Sequence, residues 1–241
     1  MCDQDVLTIR YVITYDGGTQ FEFPVHLDAK TLLYKVPPGQ ELPAWTHLDA
    51  AKCRTCPLAS EDNGHCPAAV SLVDLVEHFK TILSYSKVHV SVQAGRRTVS
   101  AEAPVQKILS SLIGLHMATS GCPHLDFLRP MARFHLPFAD REETLFRVAG
   151  SYLIAQFLKH QRGEAPDLDL EGLQAAYNLI HDVNVHMAQR MRMSVEGDAN
   201  VNAIVILDLF AQEMPLAIDS KLQDLAYLYE PMLGKDDAVV S

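Results

Sequence analysis

Cys53-Arg54-Thr55-Cys56 sets two thiols three residues apart, a knuckle spacing that lets both sulfurs approach one metal ion without strain. Cys66 follows after nine intervening residues and Cys122 after 55 more. Cys56, Cys66 and Cys122 are each followed by proline, which fixes φ and stiffens the chain beside a ligand atom. The pattern around Cys66 and Cys122 predicts a helix start at each, where the helix dipole favours thiolate, the form that binds metal. Cys53, Cys56, Cys66 and Cys122 are therefore expected to converge on a single centre. Zinc is favoured, because tetrahedral thiolate coordination suits it and a closed structural site would hold a loop that has no core of its own. A [4Fe–4S] cluster is the alternative, since four thiolates bind it equally well. His65 and His124 are alternates for one thiolate, or neighbours of the set. Cys2, at the N-terminal end, is left out. Trp45 is expected to cover the loop with apolar surface.

Other constellations fall short of a chemistry. Cys122-Pro123-His124 begins like the Cys-Pro-His-Cys motif of thiol oxidoreductases, but Leu125 stands where the resolving cysteine belongs. His181 and His186 would diverge by about 140° on a helix and cannot share a metal. Asp198-x-Asn200-x-Asn202 opens like a calcium loop, yet Ala203 and Leu209 replace the required Gly and Glu. No H-E-x-x-H, P-loop, G-x-S-x-G or dinucleotide fingerprint occurs. These absences favour a binding or regulatory role, with an unknown protein or small-molecule ligand, over an iron–sulfur redox protein or a thiol-dependent enzyme. With a purely structural centre, a ligand site is expected near the seam it clamps, among His116, Thr119, Ser120, His124, Asp126 and Arg129.

The elements that must position these residues follow from periodicity. Leu7, Ile9, Tyr11, Ile13 and Tyr15 alternate with polar neighbours, as do Phe21, Phe23, Val25 and Leu27 beyond an Asp16-Gly17-Gly18 turn, so residues 7–27 predict a β-hairpin. Pro24 assigns the second strand a free edge. A prolyl loop over 35–50 leads into the cysteine segment, 53–66. A helix is expected over 67–84 and a second hairpin over 87–102. Pro104 opens the next helix, which Gly121 closes. Asp140 and Glu143 form a capping box for a helix to about 162. Leu173, Tyr177, Ile180, Asn184, Met187 and Met191 step by fours and threes along a helix over 169–194, where Arg190 and Arg192 read as a solvated edge. Residues 201–210 suit strand or helix, with helix preferred and Pro215 as its stop. A last helix covers 219–232. The fold class is α+β, with N-terminal hairpins carrying a cysteine-rich metal loop over 1–103 and an all-α half over 104–241 contributing Cys122.

Composition sets the remaining bounds. The 241 residues are 48% hydrophobic and 21% charged, with a formal net charge of −10, a composition that predicts a folded globular chain. Acidic balance disfavours nucleic acid or an anionic membrane surface as the main partner. No apolar segment follows the acidic start, and the apolar run 203–207 is far too short to span a bilayer, so a cytoplasmic location is expected. Grouped cysteines in a reducing compartment are more often ligands than disulfides.

The stretch 117–131, MATSGCPHLDFLRPM, with its continuation ARFHLPF, resembles an uncharacterised bacterial protein family. The similarity extends over the cysteine loop and most of the helical half. It implies no activity, ligand or catalytic residue.

Overall fold

The computed structural model describes residues 5–15, 17–194, 197–220 and 222–233; Cys2 and Asp16 lie outside them. Both hairpins form: β1 (Val6–Tyr15) with β2 (Gln20–Asp28), and β3 (Lys87–Ala94) with β4 (Arg97–Pro104). They join into one antiparallel sheet of order β2-β1-β3-β4. Alternation decides the buried face: Ile9, Tyr11, Ile13, Phe23, Val25, Leu27, Val88, Val90 and Val92 all point inward. β2 is an edge strand, where the missing N–H of Pro24 is tolerated. Gly95, at φ 61°, supplies the positive φ that the tight β3–β4 turn needs.

The expected helix over 67–84 is two short ones, α1 (Pro67–Ser71) and α2 (Val73–Phe79), broken at Leu72 (φ −100°, ψ −2°). Ser71 Oγ donates back to the Ala68 carbonyl at 2.9 Å, a bond that competes with the helical ladder at the break. α3 (Val105–Thr119) is buried over most of its circumference, lying between the sheet and the later helices. Gly121 (φ 82°) follows it. The chain then runs through a 3-10 segment, Asp126–Phe134, with Pro130 inside it.

α4 (Arg141–Gln161) opens on the expected capping box: the Glu143 amide donates to Asp140 Oδ1 at 2.8 Å, and the Asp140 amide to Glu143 Oε2 at 2.9 Å. α5 (Glu171–Arg192) buries Leu173, Tyr177, Ile180, Asn184, Met187 and Met191, the face its spacing predicts. Residues 201–210 are helical within α6 (Ala199–Asp219), which packs on α3 and α5. Pro215 does not end α6. Its ring forgoes one ladder bond, but Met214, Ala217 and Ile218 around it are buried and hold the helix in place. By length and composition α6 is apolar enough to cross a membrane, a property that the five-residue run 203–207 understated. α7 (Gln223–Leu233) is the last described element. One contiguous apolar cluster runs from Ile9 to Leu225 and joins the sheet to the helices.

Candidate metal centre

The loop before the cysteines has no hydrophobic period and is shaped by polar contacts. Short 3-10 turns form at Ala44–Thr46 and Leu48–Ala50, and an isolated antiparallel β-bridge joins His47 to His65. The Leu48 amide donates to the Gly64 carbonyl at 3.0 Å and the Cys66 amide to the Thr46 carbonyl at 2.8 Å. Arg190, on α5, reaches into this loop from the far side. Its Nη1 donates to the Trp45 and His47 carbonyls, both at 2.6 Å, and Nη2 to the Leu48 carbonyl at 2.7 Å. Arg190 is 1% exposed, so it is no solvated edge. The carbonyls of the buried Trp45 and Leu48, together with that of His47, which also accepts from the Ala50 amide at 3.1 Å, account for its placement.

Cys53, Cys56, Cys66 and Cys122 all line one cavity of about 20 Å³, shared with Arg190 and His124 and closed by Leu48, Leu58, Val183 and Met187. All four are free thiols. Such a volume is close to that of one water-sized sphere. The knuckle is formed by a turn in which the Cys56 amide donates to the Cys53 carbonyl at 3.1 Å. Cys66 is the N-cap of α1, with Pro67 at the first helical position, as expected. Cys122 differs from expectation. It begins a turn, closed by the Leu125 amide on the Cys122 carbonyl at 2.9 Å, that leads into the 3-10 segment. The backbone N–H groups of His124 and Leu125 nevertheless point at its sulfur and favour the thiolate, the effect expected of a helix start.

Burial pushes the Cys53 thiol up to about 12, with further increments from Cys66, Asp182, Cys122 and Cys56. Burial likewise raises Cys122 to about 11, against those two backbone amides. The sulfurs act on one another because they share a site, and without a cation Cys53 and Cys122 stay protonated. Arg190 is the cationic side chain that lines the cavity, and no carboxylate lies within ion-pair range of it among the described residues.

The histidines divide. His124 lines the cavity, and its Nε2 donates to the Thr55 carbonyl at 2.9 Å, bracing the knuckle. His65 does not line it. Thr46 Oγ1 donates to the Pro43 carbonyl at 2.7 Å, so His65 Nδ1 donates to Thr46 Oγ1 at 2.8 Å while the His65 ring stacks on His47. Trp45 is buried but does not line the cavity either; its contribution is the carbonyl held by Arg190. Sequence reasoning missed Asp182 and His186. Their ligand atoms and that of Cys53 lie within 4.8 Å of one another. The pair is spaced i, i+4 on α5, a one-face spacing that the comparison of His181 with His186 passed over. His181 instead pairs with Asp208 at 2.8 Å. His186 Nδ1 donates to the Asp182 carbonyl at 2.7 Å, and the Asp182 carboxylate accepts from the Thr55 amide and hydroxyl at 3.3 and 3.2 Å.

A larger cavity, about 600 Å³, opens between α3, α4, α5, α6 and the 3-10 segment. None of the expected seam residues, His116, Thr119, Ser120, His124, Asp126 or Arg129, lines it. His116 is fully buried against the rings of Phe23 and Tyr34 instead.

Residues 9–230 match the family model described as Domain of unknown function (DUF6901), and the chain belongs to that family. No curated protein and no solved structure matches it.

Proposed function

We propose that this chain is a metal-stapled binding protein in which Cys53, Cys56, Cys66 and Cys122 hold one zinc ion that fastens residues 53–66 to the turn after Gly121. The observation that carries this reading is the shared cavity: four thiols from three separate stretches meet around a volume suited to one ion. Charge supports it. Four thiolates around a divalent ion leave a net negative centre, and the buried Arg190 guanidinium and the amides aimed at Cys122 offset that charge. A cluster of four irons and four sulfides would need several times the space, which disfavours the iron–sulfur alternative. Four protein ligands leave no open position, so the ion would be structural and not catalytic.

The grouping of Cys53, Asp182 and His186 favours a second reading, a mixed site with an open fourth position. Against it, the Asp182 carboxylate is already engaged by Thr55, where it steadies the knuckle. Chelation separates a structural ion from none. A strong chelator is expected to lower the melting temperature of the wild-type protein and to leave Cys56→Ser nearly unaffected. Equal sensitivity in the two proteins would remove Cys56 from the ligand set.

A further inference from the structure

The 600 Å³ cavity has walls that are mainly apolar, and its volume lies in the range of about 300–1,000 Å³ common for small-molecule sites. Its few polar groups decide what it would take. The chain carries a net charge of −10, yet the cavity lining presents Lys107, Arg141 and Arg147 against a single carboxylate, Asp140. Asp140 is engaged in the α4 cap, and Arg141 pairs with Asp224 at 2.9 Å. Arg147 is half-buried, and among the described residues only its Nη2 is engaged, by the Met131 and Phe134 carbonyls at 3.1 and 3.3 Å. No carboxylate lies within ion-pair range of it among the described residues; Glu143 acts on it only through space. A half-buried guanidinium with unused donors, facing an apolar cavity, is a site for an anion.

Two further groups point the same way. Tyr177 interacts electrostatically with Arg147, and its hydroxyl hydrogen-bonds to no described residue. Asn184 is 2% exposed and lines the cavity, and its carboxamide makes no hydrogen bond to any described residue, the nitrogen being fully shielded. A buried amide without a partner is costly, and a ligand polar atom would relieve that cost. Tyr177 and Asn184 are seven residues apart on one face of α5, so they stand about 10 Å apart along the cavity with Ile180 between them.

We infer that this cavity binds a small amphipathic acid, its carboxylate held by Arg147 and Tyr177, its apolar body laid along α5 past Ile180, and a polar atom at its far end meeting the Asn184 amide. The inference does not depend on the metal reading. The test is calorimetric titration of the full chain, metal content unaltered, with octanoate and with 1-octanol, which share an apolar body and differ in the charged head. Saturable octanoate binding is expected, with octanol about tenfold weaker or more, the difference a charge-assisted contact makes. Arg147→Gln should weaken octanoate by about the same factor and leave octanol unchanged. Ile180→Trp, which fills the cavity from its wall, should abolish both. Absence of saturable octanoate binding, equal affinity for acid and alcohol, or octanoate affinity unchanged in both variants would overturn the inference. Should Arg147→Gln not fold, the acid-to-alcohol ratio and Ile180→Trp decide alone.

Discussion

Arg190 and Trp45 are 145 residues apart in the chain and joined by a 2.6 Å hydrogen bond from Nη1 to the Trp45 carbonyl oxygen. Two more carbonyls, of His47 and Leu48, complete the guanidinium's set, so one side chain of α5 fixes the entry to the cysteine loop. Arg190→Met should cost about 3 kcal/mol in urea unfolding, because it strands the carbonyls of the buried Trp45 and Leu48. Arg190→Lys should recover less than half of that, since a compact ammonium cannot span three acceptors as the planar fork does. A wild-type unfolding midpoint in Arg190→Met would show that the loop is held by other means.

His124 separates a brace from a ligand. Its Nε2 donates to the Thr55 carbonyl at 2.9 Å. As a brace, His124→Ala should lower stability by about 1 kcal/mol and leave one metal ion per chain. A fall in metal content to well below one would identify it as a ligand in place of a cysteine.

Acid sensitivity should follow from His116. Burial holds its folded value down at about 4, against 6.5 for the free group. Between those values the unfolded chain takes up a proton that the folded chain refuses, so stability falls as pH drops from 6.5 toward 4 and is constant in this group above 6.5. The full effect is roughly 3 kcal/mol. His135, pushed down to about 3 by burial and then by Arg147, adds a slope of the same sign. Melting temperatures between pH 4.5 and 6.5 should therefore decline more gently in His116→Phe than in wild type, the carboxylates titrating alike in both. Parallel curves would place the sensitivity elsewhere.

The hairpins, the α4 capping box and the buried face of α5 were legible because each rests on local periodicity or pairing: alternate apolar residues in β1, Asp140 with Glu143, and steps of three and four from Leu173 to Met191. The four cysteines were legible as a set by type and spacing, and they do line one cavity. What escaped depends on tertiary placement. Arg190 looks like any helix arginine until the loop carbonyls of residues 45, 47 and 48 are brought to it. Pro215 has the form of a helix stop, and only the burial of its neighbours keeps α6 continuous. The 600 Å³ cavity arises where several helices meet, so no segment read alone announces it, and none of the six residues expected at the seam lines it.

X-ray absorption at the metal edge, on protein purified without added metal or chelator, tests the central claim most directly. Zinc is expected at one ion per chain, with a first shell of four sulfurs at about 2.3 Å and no lighter ligand. A shell of one sulfur with nitrogen and oxygen at about 2.0–2.2 Å would assign the metal to Cys53, Asp182 and His186 instead. Iron scattering, or no bound metal, would contradict the four-thiolate zinc centre outright.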